Sequence, residues 1–119
     1  MTVAAHETGA AAEALALEYL EREGLHLRAR NFRIRRGEID LIMEDRGEIV
    51  FVEVRARRRS GFGDGVESIT AAKRRRLIAA AKAWLQRQRH EPPTRFDVIA
   101  VTPETRHVEW IRDAFRADE

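Results

Sequence analysis

The chain has 119 residues, no cysteine, a formal net charge of +2 and 44% hydrophobic residues. This length suits one domain with one hydrophobic core, and the lack of cysteine excludes disulfides and zinc sites built on thiolates. The N-terminal segment lacks the charged and apolar stretches of a signal peptide, and no apolar run approaches the ~20 residues that span a bilayer. We therefore expect a cytoplasmic protein without a membrane partner.

The first predicted element is a helix over residues 7–23. Ala, Leu and Glu favour helices, and Gly24 is typical of the position that follows a helix C-terminus. Glu13 stands out because its neighbours three and four positions away are all small or apolar: Gly9, Ala10, Ala16 and Leu17. A buried carboxylate is costly unless it is paired or bound to a cation. Two interpretations stay open: such a buried carboxylate, or an exposed Glu13 on a surface against which nothing packs.

A strand is predicted over residues 25–34, and a β-hairpin follows with strands at 38–44 and 49–55. Alternation of side chains is typical of strands with two distinct faces. In the first hairpin strand it predicts a core face of Ile39, Leu41 and Met43 and an opposite face of Glu38, Asp40 and Ile42. In the second strand it predicts a core face of Val50, Val52 and Val54 and an opposite face of Ile49, Phe51, Glu53 and Arg55.

The register of this hairpin brings two carboxylates together. A loop of two or four residues centred between Arg46 and Gly47 pairs Asp40 directly with Glu53. Their Cβ atoms would then lie ~5 Å apart, where like charges destabilise a sheet. A shared divalent cation or a shared proton would explain the pair. The alternative is two solvated residues neutralised by arginines, but the spacing of Asp, twelve residues and Glu-x-Arg favours a site.

A glycine-rich segment at 60–66 leads to a second helix, predicted over residues 69–89 with Ser68 or Thr70 as its N-cap. Its apolar stripe predicts that Trp84 is a core residue and not a platform for stacking bases. Lys73 lies one turn before Leu77 on the same stripe, so we expect its side chain to point inward.

Two strands at 95–102 and 107–115 complete the chain. Asp97 could serve as a further metal ligand, but pairing with an arginine is the use we expect. The predicted fold is a single α/β domain with a mixed sheet flanked by helices, in the order α-β-β-β-α-β-β.

The basic residues are nearly all arginine, and they form three clusters around the proposed acidic face. Such clustering is the electrostatic footprint of a protein that binds a phosphate backbone. The alternative is a solvated surface in a protein from an arginine-rich genome. The clusters are Arg28 to Arg36, Arg55 to Arg59, and Lys73 to Arg76.

Several segments carry a family resemblance: GAAAEALALEYL, RNFRIRRGEIDLI, VFVEVRAR and RFDVIAV. With them the chain resembles the small bacterial YraN-type family, which is similar to the PD-(D/E)XK nucleases and in particular to archaeal Holliday-junction resolvases. The resemblance implies a restriction-endonuclease-like fold, a phosphodiesterase site that uses Mg²⁺ or Mn²⁺, and a symmetric homodimer. Asp40 and Glu53 match the metal-binding carboxylates, and Glu13 matches a helix-borne third ligand.

Two positions depart from the motif of that superfamily. Ile39 stands where the named proline belongs, and Arg55 stands where the catalytic lysine belongs. Arginine can clamp a phosphate and stabilise charge, but it is effectively never deprotonated and cannot act as a base. We therefore expect Arg55 to stabilise the transition state and Lys73 to replace the missing amine.

The function expected from the sequence is a metal-dependent nuclease for branched or otherwise structured DNA. Its catalytic residues would be Asp40, Glu53, Arg55 and Lys73, and its phosphate contacts Arg36, Arg57, Arg58, Arg59, Arg74 and Arg75. One alternative is a nucleic-acid-binding module that kept the fold and lost catalysis, as Arg55 allows. A second is an accessory protein whose basic faces contact RNA or an acidic partner.

Overall fold

The computed structural model describes the backbone of residues 5–57 and 69–117 and, within these ranges, the side chains from residue 9 onward. Arg58, Arg59, Ser68 and the glycine-rich segment lie outside the described residues. The elements are α1 (Ala5–Arg22), β1 (His26–Ile34), β2 (Gly37–Asp45), β3 (Glu48–Ala56), α2 (Ala71–Leu85), β4 (Thr94–Thr102) and β5 (His107–Phe115). The predicted order and the mixed α/β class are therefore confirmed. Helix α2 ends at Leu85, earlier than predicted, and Thr70 is its N-cap.

The five strands form one sheet in the order β1-β2-β3-β4-β5. All neighbours are antiparallel except β3 and β4, which are parallel. A parallel pair needs a long crossover connection, and α2 lies in the segment that joins these two strands. The first turn of α2 lies beside β3, because Lys73 Nζ is 2.6 Å from Glu53 Oε2.

Both faces of the sheet are buried, each beneath one helix. The α2 face holds Ile42, Phe51 and Trp84 in one apolar cluster, so the prediction that Trp84 is a core residue is confirmed. The α1 face holds Leu41, Met43 and Val52 in a second cluster. Among the described residues, no helix is long and apolar enough to cross a membrane.

The prediction that Ile39 shares a face with Leu41 is wrong, because Ile39 packs in the cluster beneath α2. The β1–β2 ladder pairs Arg30 with Leu41 and Phe32 with Ile39 but skips Asn31 and Asp40. Asn31 has a φ of 50°, in the left-handed region that strands rarely use. This local break in the strand backbone ends the simple alternation of faces at Asp40.

The hairpin register is the predicted one. Leu41 pairs with Val52 and Asp45 pairs with Glu48, so the loop has two residues. Those two residues, Arg46 and Gly47, have φ values of 52° and 88°. Positive φ at both positions is typical of the tight turns that match the twist of a hairpin.

Helix α2 lies directly on β2 because Gly37 has no side chain. A Cβ atom at Gly37 would lie 2.0 Å from the carbonyl oxygen of Arg76, far inside contact distance. The close approach brings the first turns of α2 against the start of β2. It thereby positions Lys73 near the carboxylates of the hairpin.

Asp97, the other acidic residue predicted within a strand, has a structural role. It is buried, and both its carboxylate oxygens accept hydrogen bonds from Arg95 Nε, at 3.0 and 3.2 Å. It also accepts from Trp110 Nε1 and from the backbone N–H of Asp113. The prediction that Asp97 pairs with an arginine is confirmed.

Candidate functional site

The site lies where β2 and β3 separate. Their ladder ends at Leu41 and Val52, while β3 goes on pairing with β4 as far as Ala56. Beyond the last pair, Asp40 Oδ2 accepts a hydrogen bond of 2.8 Å from the backbone N–H of Val54. A side-chain carboxylate thus takes the place of a strand partner, and the sheet opens beside it.

Glu53 lies on β3 across this opening from Asp40. Its side chain is only 5% exposed, and the two carboxyl groups are close enough to share a hydrogen bond. Burial, together with the negative charge of Glu53, raises the pKa of Asp40 from its ordinary 3.8 to about 8. At neutral pH the pair therefore favours a shared proton or a bound cation over two free negative charges.

Lys73 contributes the amine of the site. Its Nζ lies 2.6 Å from Glu53 Oε2, and its side chain is 39% exposed. The helix phase is fixed by Thr70, whose hydroxyl oxygen accepts from the backbone N–H of Lys73 at 3.1 Å. The ammonium therefore lies between a buried carboxylate and solvent, at the N-terminal end of α2.

The carboxylates and Lys73 line a cavity of about 370 Å³. Most of its remaining lining comes from the first turns of α2, including Thr70 and Arg76. Arg55 is not among the described residues that line it, and its Nη1 lies 3.6 Å from Glu53 Oε2. The cation that faces this cavity beside Glu53 is thus Lys73, while Arg55 contacts the same carboxylate from outside the lining.

Glu13 reaches the other side of the opening. Its Oε1 accepts hydrogen bonds of 3.1 Å from Arg30 Nη2 and from Asn31 Nδ2, and its side chain is 14% exposed. It lines a second cavity of about 400 Å³, and Asp40 lines both cavities. Of the two interpretations of Glu13, the largely buried and paired carboxylate is therefore the one observed. Its negative charge also contributes to the raised pKa of Asp40.

The carboxylates of the site offer the oxygen donors that a hard divalent cation prefers. The described residues contain no group of three or more His, Cys, Asp or Glu side chains arranged to hold a metal ion. Asp40 and Glu53 form a two-carboxylate donor set, and oxygen donors of this kind suit Mg²⁺ or Mn²⁺ when water or a substrate completes the shell. The pair therefore fits such an ion, whereas Glu13 is turned toward Arg30 and Asn31.

The predicted phosphate contacts fall into separate groups. Arg36 and Arg75 are exposed, on the β1–β2 turn and on α2. Arg74 is partly buried over the ring of Phe115, and Arg57 pairs with Glu109 at 3.2 Å. The structure thus leaves Arg36 and Arg75 open to solvent, while Arg57 and Arg74 already have partners.

Thr70, Glu38 and Arg76 also line the site, although none of them was predicted there. Arg76 follows Lys73 by three positions, which is the spacing of neighbours on one helix face, so this contact had a signal in the sequence. Glu38 lines both cavities, because β2 begins beside the opening. The hydrogen bonds from Arg30 and Asn31 to Glu13 join α1 to β1. No pattern in the sequence around these residues indicated them.

Comparison with known proteins identifies a family. The sequence model described as "Uncharacterised protein family UPF0102" matches residues 12–101. A UPF0102 protein of Nitrosococcus oceani is 52% identical over 116 residues, which cover 94% of each chain. A UPF0102 protein of Halorhodospira halophila is also 52% identical, over 94% of this chain and 89% of the relative. One of Pseudomonas putida is 46% identical over 90% of this chain and 91% of the relative.

Proposed function

This chain belongs to the UPF0102 family, the YraN-type family that its sequence resembles, and we propose that it is a metal-dependent nuclease that hydrolyses phosphodiesters in structured DNA. One observation carries the proposal: two opposed carboxylates and a lysine ammonium share a cavity at a break in the sheet. A divalent cation that takes the place of the proton on Asp40 would neutralise the pair without the cost of two buried like charges.

The roles of the residues follow from their positions. Asp40 and Glu53 would hold Mg²⁺ or Mn²⁺, which when bound would polarise the phosphate and lower the pKa of a bound water. Lys73 holds the Glu53 carboxylate and presents its remaining N–H donors to the cavity, where they can meet a phosphate oxygen. Arg55 contacts the same Glu53 oxygen at 3.6 Å and adds a second positive charge beside it. In this proposal Lys73, rather than Arg55, stabilises the charge that develops on the phosphate.

Glu13 would become a third metal ligand, directly or through a water molecule, only after its present hydrogen bonds break. Its carboxylate is held by Arg30 and Asn31. Arg30 is exposed enough, at 46%, to turn toward a phosphate of the substrate instead. We therefore assign Glu13 a role that begins when the substrate is bound.

The substrate class rests on charge and on the family resemblance. Contacts to phosphates position a nucleic acid without reading its sequence, and Arg30, Arg33 and Arg76 line the two cavities at the opening beside the carboxylates. A substrate selected by its shape, such as a branched or flapped DNA, fits this surface.

The direct test is cleavage of branched, flapped and linear DNA in Mg²⁺ or Mn²⁺. We expect the native chain to cut at least one structured substrate, and we expect Asp40→Asn or Glu53→Gln to reduce the rate by 10³-fold or so, a factor of the size seen when one preorganised group is removed. Glu91→Gln is the matched control, because Glu91 is exposed and lines a cavity beside the hairpin turn, away from the opening. Cleavage that persists in both site variants would refute the proposal.

A second function is favoured by two observations and needs its own test. Arg55 occupies the position of a catalytic lysine, and the described residues hold no three-carboxylate metal group. Both suit a module that binds nucleic acid without cutting it. Such a module would bind structured DNA with the same affinity in EDTA and in Mn²⁺ and would leave every substrate intact.

A further inference from the structure

The arginines of the described residues divide into those with a protein partner and those without one. Most of them face a carboxylate or an aromatic ring, as Arg30 faces Glu13 and Arg87 faces Phe32. Within residues 9–57 and 69–117, no ion pair or ring contact involves six of them. The six are Arg35, Arg36, Arg46, Arg75, Arg76 and Arg89.

Four of these six belong to the two segments that meet at Gly37, the β1–β2 turn and α2. Arg35 and Arg36 form the β1–β2 turn, and Gly37 follows directly with its backbone packed on the carbonyl of Arg76. Arg75 and Arg76 are both exposed on α2 at this contact. We call the surface formed by Arg35, Arg36, Arg75 and Arg76 the arginine ledge.

The arginine ledge is continuous with the cavity of the carboxylates. Gly37, Glu38 and Arg76 line a small surface cavity of about 260 Å³ together with Arg33 and Ile34. Glu38 and Arg76 also line the 370 Å³ cavity that holds Asp40 and Glu53. An extended ligand can therefore contact the ledge and the carboxylate cavity at the same time.

The positive charge of the arginine ledge favours a ligand that carries several negative charges. Like charges on neighbouring segments repel one another, and no described carboxylate forms an ion pair with these four arginines. The first turn of α2 adds to this field, because it contains no acidic residue and its N-terminus carries a partial positive charge. Guanidinium groups bind phosphate oxygens bidentately, and a nucleic acid strand supplies phosphates at regular intervals.

We propose that the arginine ledge binds the phosphates next to the one that is cut, so that the nucleic acid strand reaches the carboxylate cavity across the β1–β2 turn and α2. This inference deepens the proposed function and rests on it for the position of the cut. The ledge includes Arg35 and Arg76, and it excludes Arg57 and Arg74, which already have partners.

Binding measured in EDTA tests the ledge separately from catalysis, since no metal is then present for cleavage. Fluorescence anisotropy with a labelled branched DNA would compare the native chain with Arg35→Gln, Arg36→Gln, Arg75→Gln and Arg76→Gln. Removing one phosphate contact lowers the slope of log K against log salt by about 0.9, which amounts to about fivefold weaker binding at 0.15 M salt. We expect this loss for each ledge variant.

Two matched control variants also replace an exposed arginine by glutamine, but at positions far from the ledge. Arg89 is exposed and lies beside the hairpin turn, where Arg46 is also found, at the opposite end of the sheet from the carboxylates. Arg46→Gln and Arg89→Gln should leave the affinity and the salt slope within twofold of the native values. Equal losses in ledge and control variants would show general charge attraction and would overturn the ledge. Equally tight binding of poly-glutamate would overturn it too, because the ligand would then be any polyanion.

A tethered probe would locate the strand. The sequence contains no cysteine, so Arg36→Cys or Arg89→Cys each provides a single thiol for an iron chelate that cuts nearby nucleotides. We expect scission of the DNA from position 36 and none from position 89. If the chelate cuts from position 36 but the native chain cleaves no DNA, the proposed role of the ledge stands and the nuclease proposal is rejected. If the native chain cleaves DNA and the chelate cuts from position 89 but not from position 36, the proposed role of the ledge is rejected and the nuclease proposal stands.

Discussion

Asp40 and Glu53 lie close together because the hairpin register brings them to the point where the β2–β3 ladder ends. Leu41 pairs with Val52 in the last rung of the ladder, and the two carboxylates follow directly. The backbone N–H of Val54 and the ammonium of Lys73 each satisfy one oxygen of the pair. The remaining negative charge is the feature that a proton or a cation must balance.

The first prediction concerns stability and pH. The pKa of Asp40 is about 8 in the folded chain and 3.8 ordinarily, so between these values the folded state binds more protons than the unfolded state. The free energy of unfolding should therefore fall as pH rises from about 4 to about 8, by at most about 1.4 kcal/mol per pH unit for this group. Urea unfolding of native chain and Asp40→Asn across this range measures the effect.

In Asp40→Asn the side-chain oxygen can still accept from Val54, while the titrating charge is gone. We expect this variant to be more stable than the native chain at pH 8 and to lack the decline. Glu91→Gln should keep the decline. A native chain whose stability stays level or rises between pH 5 and pH 8, relative to Asp40→Asn, would contradict the assigned pKa shift.

The second prediction concerns Lys73. Its removal in Lys73→Ala leaves Glu53, which is 5% exposed, without its partner at 2.6 Å. Arg55 still contacts Glu53 at 3.6 Å, so the loss is that of one hydrogen bond to a charged group, about 1.5–3 kcal/mol. We expect the variant to fold with reduced stability and to lose cleavage entirely under the proposed function. Full cleavage by a folded Lys73→Ala chain, as judged by circular dichroism, would remove Lys73 from the mechanism.

At the scale of elements, the site depends on how closely α2 approaches β2. The third prediction is that Gly37→Ala destabilises the fold by about 1–3 kcal/mol, the usual cost of overpacking, because its Cβ would meet the Arg76 carbonyl at 2.0 Å. The same change should move Lys73 and weaken cleavage. Thermal and urea unfolding measure the first effect.

Gly9→Ala is the matched control, since a Cβ at Gly9 would have no atom within 4 Å. This glycine lies inside α1, where alanine is favoured by about 0.5–1 kcal/mol. The control should therefore be as stable as the native chain or more stable. Equal stability of Gly37→Ala and Gly9→Ala would show that α2 can shift without cost.

The elements themselves were largely predictable from local patterns. Alternation identified β2 and β3, the Arg46-Gly47 turn fixed their register, and the apolar stripe of α2 indicated the inward direction of Lys73. The face of Ile39 was not predictable, because the left-handed φ of Asn31 breaks the alternation in the neighbouring strand. The partners of Glu13 were not predictable either, since they depend on how α1 docks against β1.

At the scale of the whole molecule, two groups of charged residues lie at opposite ends of the sheet, and they differ in how their charges are paired. Arg95, Asp45, Glu48 and Asp97 form a closed network at the hairpin-turn end of the sheet, in which each charge has a partner. At the other end, carboxylates face each other, and the arginines of the ledge form no ion pair or ring contact with any residue that the structure describes. The first arrangement stabilises the fold, and the second is the one expected of a surface that meets a cation and a phosphate backbone.

Calorimetric titration with Mn²⁺ tests whether Asp40 and Glu53 form a metal site, using the native chain and the double variant Asp40→Asn, Glu53→Gln. We predict that the native chain binds the ion and that the double variant does not, in the absence of DNA or with a branched DNA present. A titration of the DNA alone corrects for ions that bind the DNA. No binding to the native chain under either condition would contradict the account, and a metal-independent nucleic-acid-binding module would then be the better description.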